Sequence, residues 1–318
     1  KEDLAGMLFD SLRNKIMPLS DDIIVYPAHG AGSACGKNLS KETIGILGDQ
    51  KKTNYALKAS MSKETFIKEV LHGIQPPPQY FAKNAMMNKS GYDSFETVLQ
   101  KGDVALSPEN FEIIANQNDA LVLDVRTEKE FAKEHIPNSI FIGLNGAFAP
   151  WVGALITDIH QSILIVADAG REEEIVTRLS RVGYDHTIGF LDGGMDAWKS
   201  TNLEVDTMPT VTPEAFEEMY NPELPLLDVR KPGEYEAEHL ESAENIPLDF
   251  INSNMEKVNP ETNYYAHCAG GYRSVIFGSI LKSRGLHNIT NIEGGYKVLK
   301  DTSIPKTTFV CPSEKNNS

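Results

Sequence analysis

The chain has 318 residues, enough for two or three domains, each with its own core. Apolar residues make up 41% and charged residues 24%, the mix of an ordinary globular protein, while a net charge of −15 argues against nucleic acid or an anionic membrane as a general partner. Three cysteines, Cys35, Cys268 and Cys311, make no disulfide scaffold, and no apolar run reaches the ~18 residues of a membrane span, so a reducing, cytoplasmic setting is expected. The sequence opens at Lys1 in the manner of a helix already under way, and is expected to be a piece of a longer protein.

Leu4 to Leu12 carries helical periodicity. Asp22-Ile23-Ile24-Val25-Tyr26 predicts a strand running into Pro27-Ala28-His29-Gly30, followed by a glycine-rich loop, Gly30 to Gly36, that holds Cys35. Lys51-Lys52 reads as a solvated face. Gln75-Pro76-Pro77-Pro78 and the polar stretch Asn88-Lys89-Ser90-Gly91 read as a connection, which sets residues 1–100 apart from the rest.

Two stretches then match about 100 residues apart, a separation that marks an internal repeat. Leu121-Val122-Leu123-Asp124-Val125-Arg126 is echoed by Pro225-Leu226-Leu227-Asp228-Val229-Arg230. Glu130-Phe131 and Glu134-His135-Ile136 are echoed by Glu234-Tyr235 and Glu238-His239-Leu240, and Leu191-Asp192-Gly193-Gly194 by Ile292-Glu293-Gly294-Gly295. Each copy opens with an acidic helix, Pro108 to Asn116 or Pro213 to Tyr220, and continues as apolar strands alternating with helices. That alternation predicts an α/β unit with a parallel sheet covered on both faces. The copies occupy 101–206 and 207–306, joined near Thr207-Met208-Pro209-Thr210 and followed by a polar tail, 307–318, in which Cys311 has no expected role.

In the first copy the segment Ile163-Leu164-Ile165-Val166-Ala167-Asp168-Ala169-Gly170-Arg171 leads into Glu172-Glu173-Glu174. In the second, the strand Tyr264-Tyr265-Ala266-His267 leads into Cys268-Ala269-Gly270-Gly271-Tyr272-Arg273-Ser274 and an apolar helix. Aligned on the arginine, Val166 stands at the cysteine position; aligned on Ala-Gly, Asp168 does, with a shortened loop. Neither is a sulfur nucleophile, and the acidic run opposes an anion, so the first copy is expected to be catalytically silent and to pack and present its partner. Gly193, Gly194 and Trp198 read as turn and core.

A thiol between a strand end and a helix start sits among inward-pointing amides at a positive dipole end, where it is expected to react as a nucleophilic thiolate. Cys268 is therefore the candidate nucleophile, and the loop Ala269, Gly270, Gly271, Tyr272 and Ser274 the cradle for an anionic sulfur or oxyanion group. In a chain this acidic, Arg273 is the candidate to orient an anionic donor or to stabilise the loop. Asp228, Arg230, Glu234 and His239 are expected to brace it.

The pair of αβ units, with Asp-Val-Arg early, a six-residue loop from Cys268 to Arg273, and Gly-Gly late, resembles the rhodanese family over residues 104–306. The resemblance implies a sulfurtransferase that carries sulfane sulfur on Cys268 between small-molecule donors and thiols, with no cofactor. One alternative is a pair of non-catalytic interaction modules. Another is a cysteine phosphatase, whose His-Cys…Arg-Ser loops hold five residues between Cys and Arg where this one holds four.

Tyr26 to Gly36, with Thr43-Ile44-Gly45 and Asn54-Tyr55-Ala56, resembles the late region of metallo-β-lactamase-fold enzymes. The likeness is in particular to persulfide dioxygenases fused to rhodanese repeats, a non-heme iron family that oxidises persulfides. It implies that residues 1–100 are the trailing part of an αββα domain whose N-terminal half is the missing partner. Iron belongs to the complete domain, because His-x-His-x-Asp-His is absent from the sequence. His29 is then a remnant of the metal pocket rather than a ligand, and Cys35 a second sulfur site. Neither nucleic acid nor membrane is expected as a partner, and a homo-oligomer is left open.

Overall fold

The computed structural model describes residues 1–26, 44–72 and 80–310. His29, Cys35, Cys311, the Gly30–Gly36 loop and the prolines 76–78 lie outside the described residues. The chain divides into two compact units, 1–77 and 78–318.

In the first unit, α1 (Glu2–Ser11) continues through one wider turn, Leu12–Ile16. Strands β1 (Ile24–Val25) and β2 (Gly45–Ile46) pair antiparallel, and α2 (Leu47–Thr53) follows directly. Helix α3 (Lys63–Leu71) starts at Ser62, whose hydroxyl accepts the Thr65 N–H. It packs on α1 through an edge-on contact of Phe9 and Phe66, 5.3 Å between ring centres.

The second unit begins with α4 (Tyr80–Ser90) and α5 (Phe95–Gly102). The sequence boundary at residue 100 thus falls inside this unit, and the polar stretch 88–90 is the end of a helix rather than a connection. The first copy follows as β3 (Ala105–Leu106), α6 (Pro108–Gln117), β4 (Leu121–Asp124), α7 (Glu128–Lys133), β5 (Ile140–Phe141) and α8 (Phe148–Leu155). It closes with β6 (Ile163–Val166), α9 (Glu172–Ser180), β7 (Thr187–Leu191) and α10 (Gly194–Lys199). The second copy runs β8 (Thr210–Val211), α11 (Pro213–Met219), β9 (Leu226–Asp228), α12 (Pro232–Ala237), β10 (Ala243–Asn245) and α13 (Ile251–Asn254). It ends with β11 (Tyr264–His267), α14 (Tyr272–Ser283), β12 (Ile289–Ile292) and α15 (Tyr296–Leu299).

Both copies form a five-stranded sheet of parallel pairs in the same order, β3-β7-β6-β4-β5 and β8-β12-β11-β9-β10. Helices on both faces explain why β6 is apolar and buried at every position rather than alternating. The join between the copies is part of the second sheet: β8 starts at Thr210, and Pro209 accepts the Asn291 N–H.

One local device is repeated. In each copy the strand ends on an aspartate whose carboxylate accepts from the backbone and guanidinium of the arginine two residues on. Asp124 takes Arg126 Nη2 at 2.6 Å, and Asp228 takes Arg230 Nη2 at 2.6 Å. The same nitrogens reach the carbonyls of Glu134 and Glu238, both at 2.8 Å. Each clasp ties the strand end to the C-terminus of the following helix, which is why Asp-Val-Arg recurs.

The copies share one core, which runs from Phe141, Phe148 and Val152 to Val275, Phe277 and Ile280. Polar ties cross the seam as well: Phe141 N–H donates to Ser279 Oγ at 3.0 Å, and Lys282 pairs with Asp206 at 2.9 Å. Among the described residues no helix is long and apolar enough to cross a membrane.

Candidate active site

β11 lies at the middle of its sheet, with His267 in register with Asp228. The next residue, Cys268, stands at the carboxyl end of that strand, and α14 begins four residues later. The turn between them needs a backbone with φ of +98° at Gly271, open to glycine at little cost. This conformation aims the Gly271 N–H at Cys268 Sγ, 3.1 Å away, beside the N-terminus of a 12-residue helix. The thiol is free and 1% exposed.

A second donor stands behind the sulfur. Ser274 Oγ is 3.7 Å from Sγ, 3.0 Å from the Gly271 carbonyl and 2.7 Å from Asn291 Oδ1. A hydroxyl has one hydrogen for these three acceptors, so it can turn toward the sulfur when negative charge sits there. Asn291 is buried on β12.

The late Gly-Gly has a physical role here. Cys268 carbonyl accepts the Tyr296 N–H at 2.6 Å and Ala269 carbonyl the Lys297 N–H at 2.9 Å, which clamps the start of the loop onto α15. Gly295, with φ of +58° and ψ of −155°, lies so close that a Cβ would run into the Cys268 carbonyl oxygen.

Arg273 makes its side-chain hydrogen bonds to Glu234 rather than to the sulfur in this structure. Its two terminal nitrogens grip Glu234 at 2.7 and 2.8 Å, and that guanidinium holds the Glu234 carboxyl below its ordinary range. The arginine therefore ties the loop to α12. Asp228 and Arg230 form the clasp at the end of β9, beside β11, and the Arg230 guanidinium lies 3.9 Å over the Tyr296 ring. His267 is fully buried, its Nε2 4.0 Å from Asp228, and burial pushes its imidazole below the usual range, so it is neutral. Tyr272 turns its side chain into the first copy, where its hydroxyl donates to the Gly143 carbonyl at 2.8 Å. Gly270 and Gly271 form part of the wall of a cleft of about 900 Å³ between the copies, with Lys129 of the first copy and Glu293 of the second paired across it at 2.9 Å.

Sheet register corrects the alignment of the first copy. Val166 pairs with Asp124 as His267 pairs with Asp228, so Ala167, rather than Val166 or Asp168, occupies the cysteine position. Gly170, with φ of +84°, then matches Gly271, and the loop is not shortened. Arg171 falls opposite Tyr272, Glu172 opposite Arg273, Glu173 opposite Ser274 and Phe190 opposite Asn291. What the copies share, the Asp-Arg clasp and Gly-Gly, builds the fold. What the second copy alone has are Cys268, the Ser274–Asn291 pair behind its sulfur, and Arg273, which ties the loop to Glu234. Asn291 is the residue the sequence reading missed, and its signal is a polar residue in an apolar strand whose counterpart is Phe190.

Among the described residues no three His, Cys, Asp or Glu side chains come together in a way that could hold a metal ion. The sequence lacks His-x-His-x-Asp-His, and His29 and Cys35 lie outside the described residues.

Comparison with known proteins agrees with the geometry. The Bacillus subtilis protein YqhL is 33% identical over 90 residues, 28% of this chain and 71% of its own length. Thiosulfate sulfurtransferase PspE of Escherichia coli is 33% identical over 82 residues, 25% of this chain and 75% of its own. A solved metallo-beta-lactamase from Staphylococcus aureus aligns with 58% of this chain and 49% of its own, at 28% identity and a TM-score of 0.46, so this chain spans about half of that protein. The rhodanese-like domain family matches residues 107–201 and 212–302, one segment per copy and more than half of the chain together, and the chain accordingly belongs to that family.

Proposed function

We propose that the second copy is a sulfurtransferase that carries sulfane sulfur as a persulfide on Cys268. The observation that carries the proposal is the placement of Sγ: a free thiol at a central strand end, 3.1 Å from an inward amide and at the start of a long helix. Membership of the rhodanese-like family and the likeness to a thiosulfate sulfurtransferase support the same chemistry.

With thiosulfate as donor, the Cys268 thiolate attacks the sulfane sulfur. A new S–S bond forms, the donor S–S bond breaks, and sulfite leaves with its electron pair. An acceptor thiolate then attacks the outer sulfur and forms its own persulfide, and Cys268 departs as thiolate. Gly271 N–H, with Ser274 when its hydroxyl turns, stabilises negative charge on Sγ at both ends of the cycle. Arg273 keeps the loop in place through Glu234. No cofactor enters, and no step runs through iron.

Residues 1–100 resemble the trailing part of persulfide dioxygenases, and in this reading the transferase works beside a persulfide-oxidising domain. A transferase that interconverts persulfide and thiosulfate fits such a neighbour, which releases sulfite. The test is intact-mass spectrometry after brief exposure to thiosulfate or glutathione persulfide. The wild type should gain one sulfur atom and Cys268→Ser none. No gain from either donor would overturn sulfur transfer in favour of an interaction module, and a gain that survives in Cys268→Ser would move the chemistry to Cys35.

A further inference from the structure

The silent copy holds part of the machinery of the active one. Tyr272 is the first residue of α14 and directly follows Gly271, whose N–H meets the sulfur. Its side chain leaves the loop altogether and enters a slot in the first copy. There the hydroxyl donates to Gly143 carbonyl at 2.8 Å, and the ring meets Phe141 edge-on at 5.6 Å between centres.

The slot exists because two residues of the first copy lack side chains. A Cβ on Gly143 would come within 2.9 Å of the Tyr272 ring, and one on Gly146 would overlap the ring outright. Neither Gly143 nor Gly146 has a φ in the left-handed region, although a Cβ on Gly143 would also meet the Phe141 ring and the Arg126 carbonyl, so Gly146 is the position at which the Tyr272 ring alone demands glycine. Burial pushes the Tyr272 phenol well above its ordinary range, which keeps it a neutral donor. The far end of α14 is fixed to the same copy, since Ser279 Oγ accepts the Phe141 N–H. The corresponding residue of the first copy, Arg171, stays on its own copy, with Glu174 and Asn145.

We infer that the Gly143–Gly146 slot of the silent copy is a socket for Tyr272, and that Tyr272 is a positioning residue setting the Gly271 amide against Cys268 Sγ. The first copy has thus lost its nucleophile and acts as the fixed support of the second copy's loop. This inference rests on the sulfur-carrier reading of Cys268.

The test uses the full chain with Gly146→Ala, which blocks the socket from the silent copy, and Tyr272→Phe, which keeps the ring and removes its hydrogen bond. Sulfur loading from thiosulfate is followed by rapid quench and intact mass over a range of donor concentrations, and thermal unfolding is recorded in parallel. The expected result for Gly146→Ala is a fall in the saturating loading rate on the order of tenfold, with the half-saturating thiosulfate concentration within about twofold of wild type. Tyr272→Phe should fall less, in the same manner. Wild-type loading rates in both variants would overturn the inference, as would a change confined to the half-saturating concentration, which would make the slot part of donor binding. If Gly146→Ala does not fold, Tyr272→Phe decides alone by the same criterion. A wild-type chain that takes up no sulfur would fail the sulfur-carrier reading itself, whereas equal loading by wild type and variants fails the socket alone.

Discussion

Replacing Asp228 with alanine tests whether the Asp-Arg clasp builds the fold or serves the chemistry. The Asp228 carboxylate is wholly buried and accepts the Arg230 backbone N–H at 3.0 Å, Nε at 2.9 Å and Nη2 at 2.6 Å. Its removal leaves a guanidinium 5% exposed with one carbonyl partner, Glu238. Breaking a buried pair in this way costs about 3–5 kcal/mol, a large share of the roughly 5–15 kcal/mol that holds a domain together. The first copy supplies the control, because Asp124 makes the same contacts at 3.1, 3.0 and 2.6 Å. Asp124→Ala should therefore lose a similar amount in urea unfolding. Only Asp228→Ala should also slow sulfur loading, because Asp228 pairs in register with His267 beside the nucleophile. A loss below about 1 kcal/mol in either variant would refute the reasoning, since an unpaired buried charge cannot be that cheap.

Two further outcomes follow from the site. Ser274→Ala and Asn291→Leu should each reduce the loading rate about 10- to 100-fold, by removing or misdirecting a donor to developing charge; stopped-flow loading at wild-type rates in both would exclude the pair from the reaction. His267 and His135 are both held below the ordinary histidine range by burial. The unfolded chain takes up their protons near pH 6.5 while the folded one does not, so the stability they contribute is present above about pH 6.5 and is lost as the pH falls toward the lower folded values. The urea midpoint should accordingly drop between about pH 7.5 and 5.5, with a shallower drop in His267→Gln, and an equally steep drop in that variant would remove His267 from the account.

The repeat and its cysteine loop were legible because they are local. Asp-Val-Arg, the Cys268–Arg273 spacing and Gly-Gly each lie within a few residues, and the strand-helix alternation between them requires a parallel sheet. What was hidden depends on pairing across the sheet. Aligning the loops by their arginines misplaces Ala167, because Arg171 is the counterpart of Tyr272 and only register reveals it. Asn291 reaches the sulfur's surroundings from a strand some twenty residues downstream, and the Glu234 partner of Arg273 lies on α12, so neither contact has a sequence interval to mark it. Position alone groups Tyr272 with the anion cradle, while its side chain packs against the other copy. Helix α4 leaves little trace in the sequence beyond the proline run, since it lacks a strong apolar stripe.

The hydrogen bond from Phe141 to Ser279 has a consequence for the sheet itself. Phe141 lies on β5, the outermost strand of the first sheet, and Ile142 N–H points inward to Asp124, so the Phe141 N–H is the one facing out. An outward amide on an edge strand is an invitation to another chain's strand, and here a serine from a neighbouring helix occupies it. Parting the two copies would uncover that edge together with the apolar surface on either side of it. The second copy therefore protects the edge of the first from intermolecular strand addition, and a first copy excised alone should be prone to self-association even where it keeps its native sheet.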